Sequence, residues 1–198
     1  MLDLEPATKV LAQLVGSIRE DQLTAPTPCS ETSLGDLLDH VDGLSLAFTA
    51  AASKTPTPGG SQAPSADRSQ LAPDWRTRIP ERLAGLASAW NDGAAWSGMT
   101  QAGGLDLPGE VAGVVALDEV VVHGWDIAVA SGQEFDCDPH LLQAAYEFVR
   151  ASVAENPQGS PGLFGPPVAV ADDAPLLDRV IGLTGRDPSW RPPPQQAS

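Results

Sequence analysis

Glu119, His123 and Asp126 stand at i, i+4 and i+7 within Leu117-Asp118-Glu119-Val120-Val121-Val122-His123-Gly124-Trp125-Asp126. On a helix, residues three and four apart project from one face. The three side chains would then form one polar ladder inside a Val-rich segment. A Glu and a His one turn apart can chelate a single divalent ion. Two ligands do not make a site, and the chain has only two other His, His40 and His140.

The elements that must position this ladder can be read from apolar spacing. Val111, Val114, Val115, Leu117, Val120, Val121, Val122, Ile127 and Val129 make residues 110–130 apolar nearly all round, which marks a central helix. Gly132 is suited to end it. A second helix is expected over 33–52, with Ser33 as N-cap and Asp36 closing a capping box. Its buried stripe is Leu34, Leu37, Leu38, Val41, Leu44 and Phe48. His40 shares the face of Leu37 and Leu44, which makes it the candidate third ligand. The alternative is a core histidine satisfied by a hydrogen bond; the ladder elsewhere in the chain favours the ligand. An ionised Glu119 in an apolar helix is costly unless it is paired or metal-bound. Arg19, Arg76, Arg78 and Arg82 are its alternative partners.

Around these, helices are expected over 3–20, over 74–96 with Pro80 as a kink or a start nearer Ile79, and over 138–155 behind Asp138 and Pro139. His140 falls in the first turn of the last and reads as a surface residue. Residues 21–32 form a loop and 97–109 a turn-rich connector. Residues 164–170 read as extended and 174–183 as a short helix. The connector 53–73 is long, polar and rich in Pro, Gly and Ser, and a loop of that length needs a reason. One is a crossover between parallel helices; another is a lid over a site. The expected architecture is all-α: an up-down-down-up four-helix bundle over 1–155, a C-terminal appendage with an extra helix over 156–190, and a disordered tail over 191–198.

Composition narrows the function classes. The chain has 198 residues, 42% of them hydrophobic, and a formal net charge of −15. That charge argues against nucleic acid and anionic membranes as partners. No apolar run approaches the ~20 residues of a membrane span. The acidic start, Met1 to Glu5, is unlike a signal peptide. Cys29 and Cys137 then read as reduced thiols of a cytoplasmic protein.

Thr27-Pro28-Cys29 followed by Leu34-Gly35-Asp36-Leu37-Leu38-Asp39-His40-Val41 resembles the second-helix signature of the DinB/YfiT-like metalloprotein superfamily. The resemblance is closer to its actinobacterial branch related to mycothiol-dependent maleylpyruvate isomerase. Glu119 to Ala128 resembles the fourth-helix signature. Phe164-Gly165-Pro166-Pro167, Asp172-Asp173-Ala174-Pro175 and Gly185-Arg186-Asp187-Pro188-Ser189-Trp190 resemble the tail of a short-chain subfamily. The resemblance implies a four-helix bundle holding a divalent ion, usually zinc, on His40, Glu119 and His123. Asp126 becomes a supporting group behind a ligand or a water. Three protein ligands leave a coordination position open, and related enzymes use it to activate a low-molecular-weight thiol, mycothiol in actinobacteria. The chain departs from the pattern at Glu31-Thr32-Ser33, where the family often has Trp, and its C-terminal part is shorter than that of the full isomerase. The isomerase reaction itself is therefore not carried over. Two classes stand: a zinc-dependent, mycothiol-type transferase acting on a small molecule, and a non-catalytic metal-containing binding or stress-response protein, with a homodimer compatible with the second. Arg186 is either a cation for a substrate carboxylate or a tail salt bridge. Without metal, the ladder would be an internal ion-pair network.

Overall fold

A computed structural model describes residues 1–55, 64–160 and 163–193. Six α-helices and one two-stranded sheet are found among them: α1 Glu5–Gly16, α2 Leu34–Ser53, α3 Trp75–Trp90, β1 Met99–Ala102, β2 Leu105–Pro108, α4 Gly109–Ser131, α5 Pro139–Glu155 and α6 Leu176–Leu183. Helix α1 packs on α3 and α4, and α2 packs on the same two. Helix α5 covers α4 from another side, and α6 packs on α5. No described helix is long and apolar enough to cross a membrane.

The apolar stripes do what their spacing requires. Leu34, Leu37, Leu38, Val41, Leu44 and Phe48 of α2 are buried, as are Trp75, Ile79, Leu83, Leu86 and Trp90 of α3. Ser33 caps α2: its hydroxyl accepts from the Asp36 amide, and the Asp36 carboxylate accepts from the Ser33 amide at 2.9 Å. This reciprocal cap fixes where α2 starts, and so the height of His40 along it. Helix α4 touches α1, α2, α5 and the hairpin. Being surrounded on most sides, it has little use for a polar face, which is why its Leu117, Val120, Val121 and Ile127 are all at most 1% exposed.

One expectation needs correction, and one alternative is decided. The connector 97–109 is not only turns: it holds the antiparallel hairpin β1–β2, with Met99 opposite Pro108. Gly103 and Gly104 turn it with φ of +57° and +80°. That double left-handed turn is the geometry a Gly-Gly pair supplies between twisted strands, and the strands are too short to announce themselves by alternation. Pro80 lies inside α3, which starts at Trp75 and not near Ile79. Being only six residues into the helix, it removes one ladder hydrogen bond near an end already short of them. Residues 164–170 lie in no helix, and Val168 donates its amide to the Gly182 carbonyl at 2.9 Å. Residues 56–63 of the long connector and 194–198 of the tail lie outside the described residues.

Candidate metal centre

Helix α4 carries Glu119, His123 and Asp126 on one face, and α2 presents His40 across from them. Glu119 Oε2 lies 3.0 Å from His123 Nε2 and 4.0 Å from His40 Nε2. The two imidazoles meet edge to face, with ring centroids 5.1 Å apart at 83°. One donor atom from each of His40, Glu119 and His123 lies within 4.8 Å of the others. His123 is buried, while the side chains of His40 and Glu119 are 21% and 18% exposed, so the cluster opens on the His40–Glu119 side.

Each imidazole is held from behind by an oxygen acceptor. His40 Nδ1 lies 3.2 Å from the Pro64 carbonyl, and His123 Nδ1 lies 3.0 Å from Asp126 Oδ2. A carbonyl and a carboxylate can only accept, so each Nδ1 donates, and each Nε2 faces the cluster. Metal-ligating histidines are oriented in this way. The donor set of two imidazole nitrogens and one carboxylate oxygen fits zinc and related borderline ions.

The electrostatics point the same way. Burial and the neighbouring positive charge of His123 lower the basicity of His40. Burial also opposes charge on His123, but hydrogen bonds to Asp126, Cys29 and Glu119 outweigh it and raise its pKa well above the ordinary value. Burial opposes charge on Glu119 too, yet its hydrogen bond to His123 and the charges of His123, His40 and Arg186 hold the carboxyl below its usual range. The Glu119 carboxylate thus favours a positive charge beside it, and a divalent ion on the same three donors would supply one.

None of the arginines considered as partners for Glu119 reaches it. Arg19 pairs with Asp21, Arg76 with Glu20, and Arg78 and Arg82 with Asp42. His140 is exposed, as its position in the first turn of α5 requires. Arg186, however, enters the site: its guanidinium lies 2.9 Å from Asp126 Oδ2 and 3.1 Å from Cys29 Sγ. The tail salt bridge is therefore the correct alternative for Arg186. Sequence reasoning does not place Cys29 beside Asp126, where Sγ lies 3.3 Å from Oδ2; the Thr-Pro-Cys motif gives no hint of a contact 97 residues away. It also passes over Asp118, which is 2% exposed and whose Oδ1 has no partner among the described residues. Burial and the adjacent Glu119 raise its pKa well above the ordinary value. An acidic residue beside Glu119 on an all-apolar helix is the available signal.

Fold and site together define a helical protein with a two-histidine, one-carboxylate centre. Residues 4–128 match the family described as mycothiol maleylpyruvate isomerase N-terminal domain, and the chain belongs to that family. Over 186 residues it is 32% identical to the uncharacterized protein Rv0738 of Mycobacterium tuberculosis (strain ATCC 25618 / H37Rv), covering 91% of this chain and 93% of that one. The uncharacterized protein MT0763 of Mycobacterium tuberculosis (strain CDC 1551 / Oshkosh) matches equally. Among solved structures, the mycothiol-dependent maleylpyruvate isomerase superposes with a TM-score of 0.55 at 18% identity. That match covers 74% of this chain and 66% of the isomerase, so it speaks for the fold alone.

Proposed function

We propose that His40, Glu119 and His123 hold one divalent metal ion, zinc before others, and that the centre serves a mycothiol-type thiol transferase acting on a small electrophile. The observation that carries this is the convergence of His40 Nε2, His123 Nε2 and Glu119 Oε2 with both Nδ1 atoms tied to oxygen acceptors. Three protein ligands suit a centre that binds something else at an open position. When bound there, the metal lowers the pKa of a thiol or a water and supplies a nucleophile at neutral pH. The chain's own residues do the rest. Asp126 holds the His123 ring through Nδ1, the Pro64 carbonyl holds His40, and the buried wall of α4 keeps water from the inner side. Family membership supports the thiol as cosubstrate.

On this reading α1 to α4 form the metal-binding bundle in up-down-down-up order over 1–155, and the appendage over 156–190 braces it through Arg186. The test is metal analysis of the purified chain beside His40→Ala and His123→Ala. About one zinc per chain in the wild type and near none in either variant is the expected result; equal metal in all three would sink the site. Zinc-loaded protein is then assayed with mycothiol and a panel of electrophiles. Turnover above the uncatalysed rate supports the transferase, whereas bound metal without turnover favours the binding-protein alternative.

A further inference from the structure

A second group of acceptors lies behind the centre. Cys29, His123 and Asp126 offer three donor atoms within 4.8 Å of one another. This group already has its cation. Arg186 Nε lies 3.0 Å from Asp126 Oδ1 and 3.2 Å from Oδ2, Nη2 lies 2.9 Å from Oδ2, and Nη1 donates to the Thr184 carbonyl at 3.2 Å. With Nη2 also on Cys29 Sγ, four of the five guanidinium N–H groups are engaged, and no two-pronged face is left for a substrate.

The backbone that delivers this guanidinium is tightly specified. Gly185 has φ of +84°, and a Cβ there would lie 2.9 Å from the Gly165 backbone. Only glycine suits that left-handed crossing. It explains why Phe164-Gly165 and Gly185-Arg186, about twenty residues apart, belong to one tail: the two strands of chain cross where Arg186 turns inward.

We propose that Arg186 is a positioning residue of the metal centre, acting through Asp126. The proposal rests on the metal reading of His40, Glu119 and His123. A guanidinium fork fixes the plane of a carboxylate, which a point charge does not. Asp126 is 0% exposed, so its orientation is set by its partners alone. The Arg186 fork spans both carboxylate oxygens and Cys29 donates to Oδ2, which fixes the plane in which the same Oδ2 accepts from His123 Nδ1. The imidazole is thereby locked with Nε2 toward Glu119 and His40. The tail supplies no ligand, but it sets the ring angle of one.

The experiment compares Arg186→Lys, Arg186→Gln and Asp126→Asn with the wild type in two readouts. The first is imidazole NMR on metal-free protein, in which only three histidines must be assigned. The wild type is expected to show a slowly exchanging, hydrogen-bonded His123 Nδ1 proton, and all three variants are expected to lose its protection. The second is zinc affinity by chelator competition, expected to fall roughly 10–100-fold, with Arg186→Gln/Asp126→Asn no worse than either single change. Arg186→Lys retains the charge and so keeps the comparison open if Arg186→Gln does not fold. Folded variants that keep the protected proton, or keep zinc affinity within about two-fold of wild type, overturn the proposal. A wild type that binds no zinc overturns the metal reading, and the NMR readout still decides whether Arg186 orients His123.

Discussion

The two nitrogens of His123 look into two different regions. On the Nδ1 side, Asp126 is wholly buried and has a fixed cation in Arg186. On the Nε2 side, Glu119 and His40 are partly exposed, and no Lys or Arg pairs with Glu119 among the described residues. One region is closed and satisfied; the other is open and satisfied only provisionally. A buried ion pair is a structural device, while the converging donors opposite are those the proposed metal would use. The same imidazole joins the two, so the rigid side can set the geometry of the open side.

Removing a ligand should give the largest effect, the loss of zinc from His40→Ala and His123→Ala. Next comes stability. Asp126→Ala strands the Arg186 guanidinium among buried groups and is expected to cost about 3–5 kcal/mol. Glu119→Gln, on the open side, keeps the side chain's shape and one acceptor oxygen and should cost about 1–3 kcal/mol in metal-free protein. Urea denaturation of both variants checks this, and equal losses would erase the distinction between the two sides.

The cysteines extend the contrast. Burial, with Asp138 and Asp136 nearby, pushes the Cys137 thiol up to about 12. At pH 8 only on the order of 10⁻⁴ of it is thiolate. Cys29 is partly exposed and lies against a guanidinium. Alkylation of the native protein, followed by peptide mass spectrometry, should modify Cys29 at least about ten times faster than Cys137. Comparable rates would mean that the burial of Cys137 opens readily or that Arg186 shields Cys29, and either would remove the contrast.

The smallest effect concerns the frame. Burial works against charge on Asp36, but the Ser33 hydroxyl and the Arg68 and Ser33 amides outweigh it and lower its pKa. A carboxyl with a lowered folded-state pKa contributes stability above its unfolded value of 3.8, and that stability is lost as pH falls through the folded value. Asp36→Asn should therefore cost about 1 kcal/mol at neutral pH, with the two proteins converging in acid. A pH-independent difference would show that the cap acts through shape and not charge.

Much of the fold and half of the site are legible in the residues alone. Apolar periodicity locates the six helices, Ser33 and Asp138 mark two starts, and Gly132 one end. The ladder of Glu119 and His123 follows from helical geometry, and the phase of His40 against Leu37 and Leu44 places it inward. The hairpin escapes such reading because four-residue strands carry almost no periodic signal. The buried Asp118 escapes it because its burial depends on neighbours from other elements.

The amino-acid order thus dictates everything set by distances along one helix: which side chains share a face, and which faces are apolar. Whatever requires two distant segments to meet is decided by the tertiary structure. It brings His40 to Glu119 across 79 residues, chooses the Pro64 and Asp126 oxygens that aim the two imidazoles, and closes Arg186 onto Asp126 across 60 residues. Helical spacing is a local rule that residue order can reveal. Long-range pairing depends on the packing of the whole core, and no local pattern encodes it.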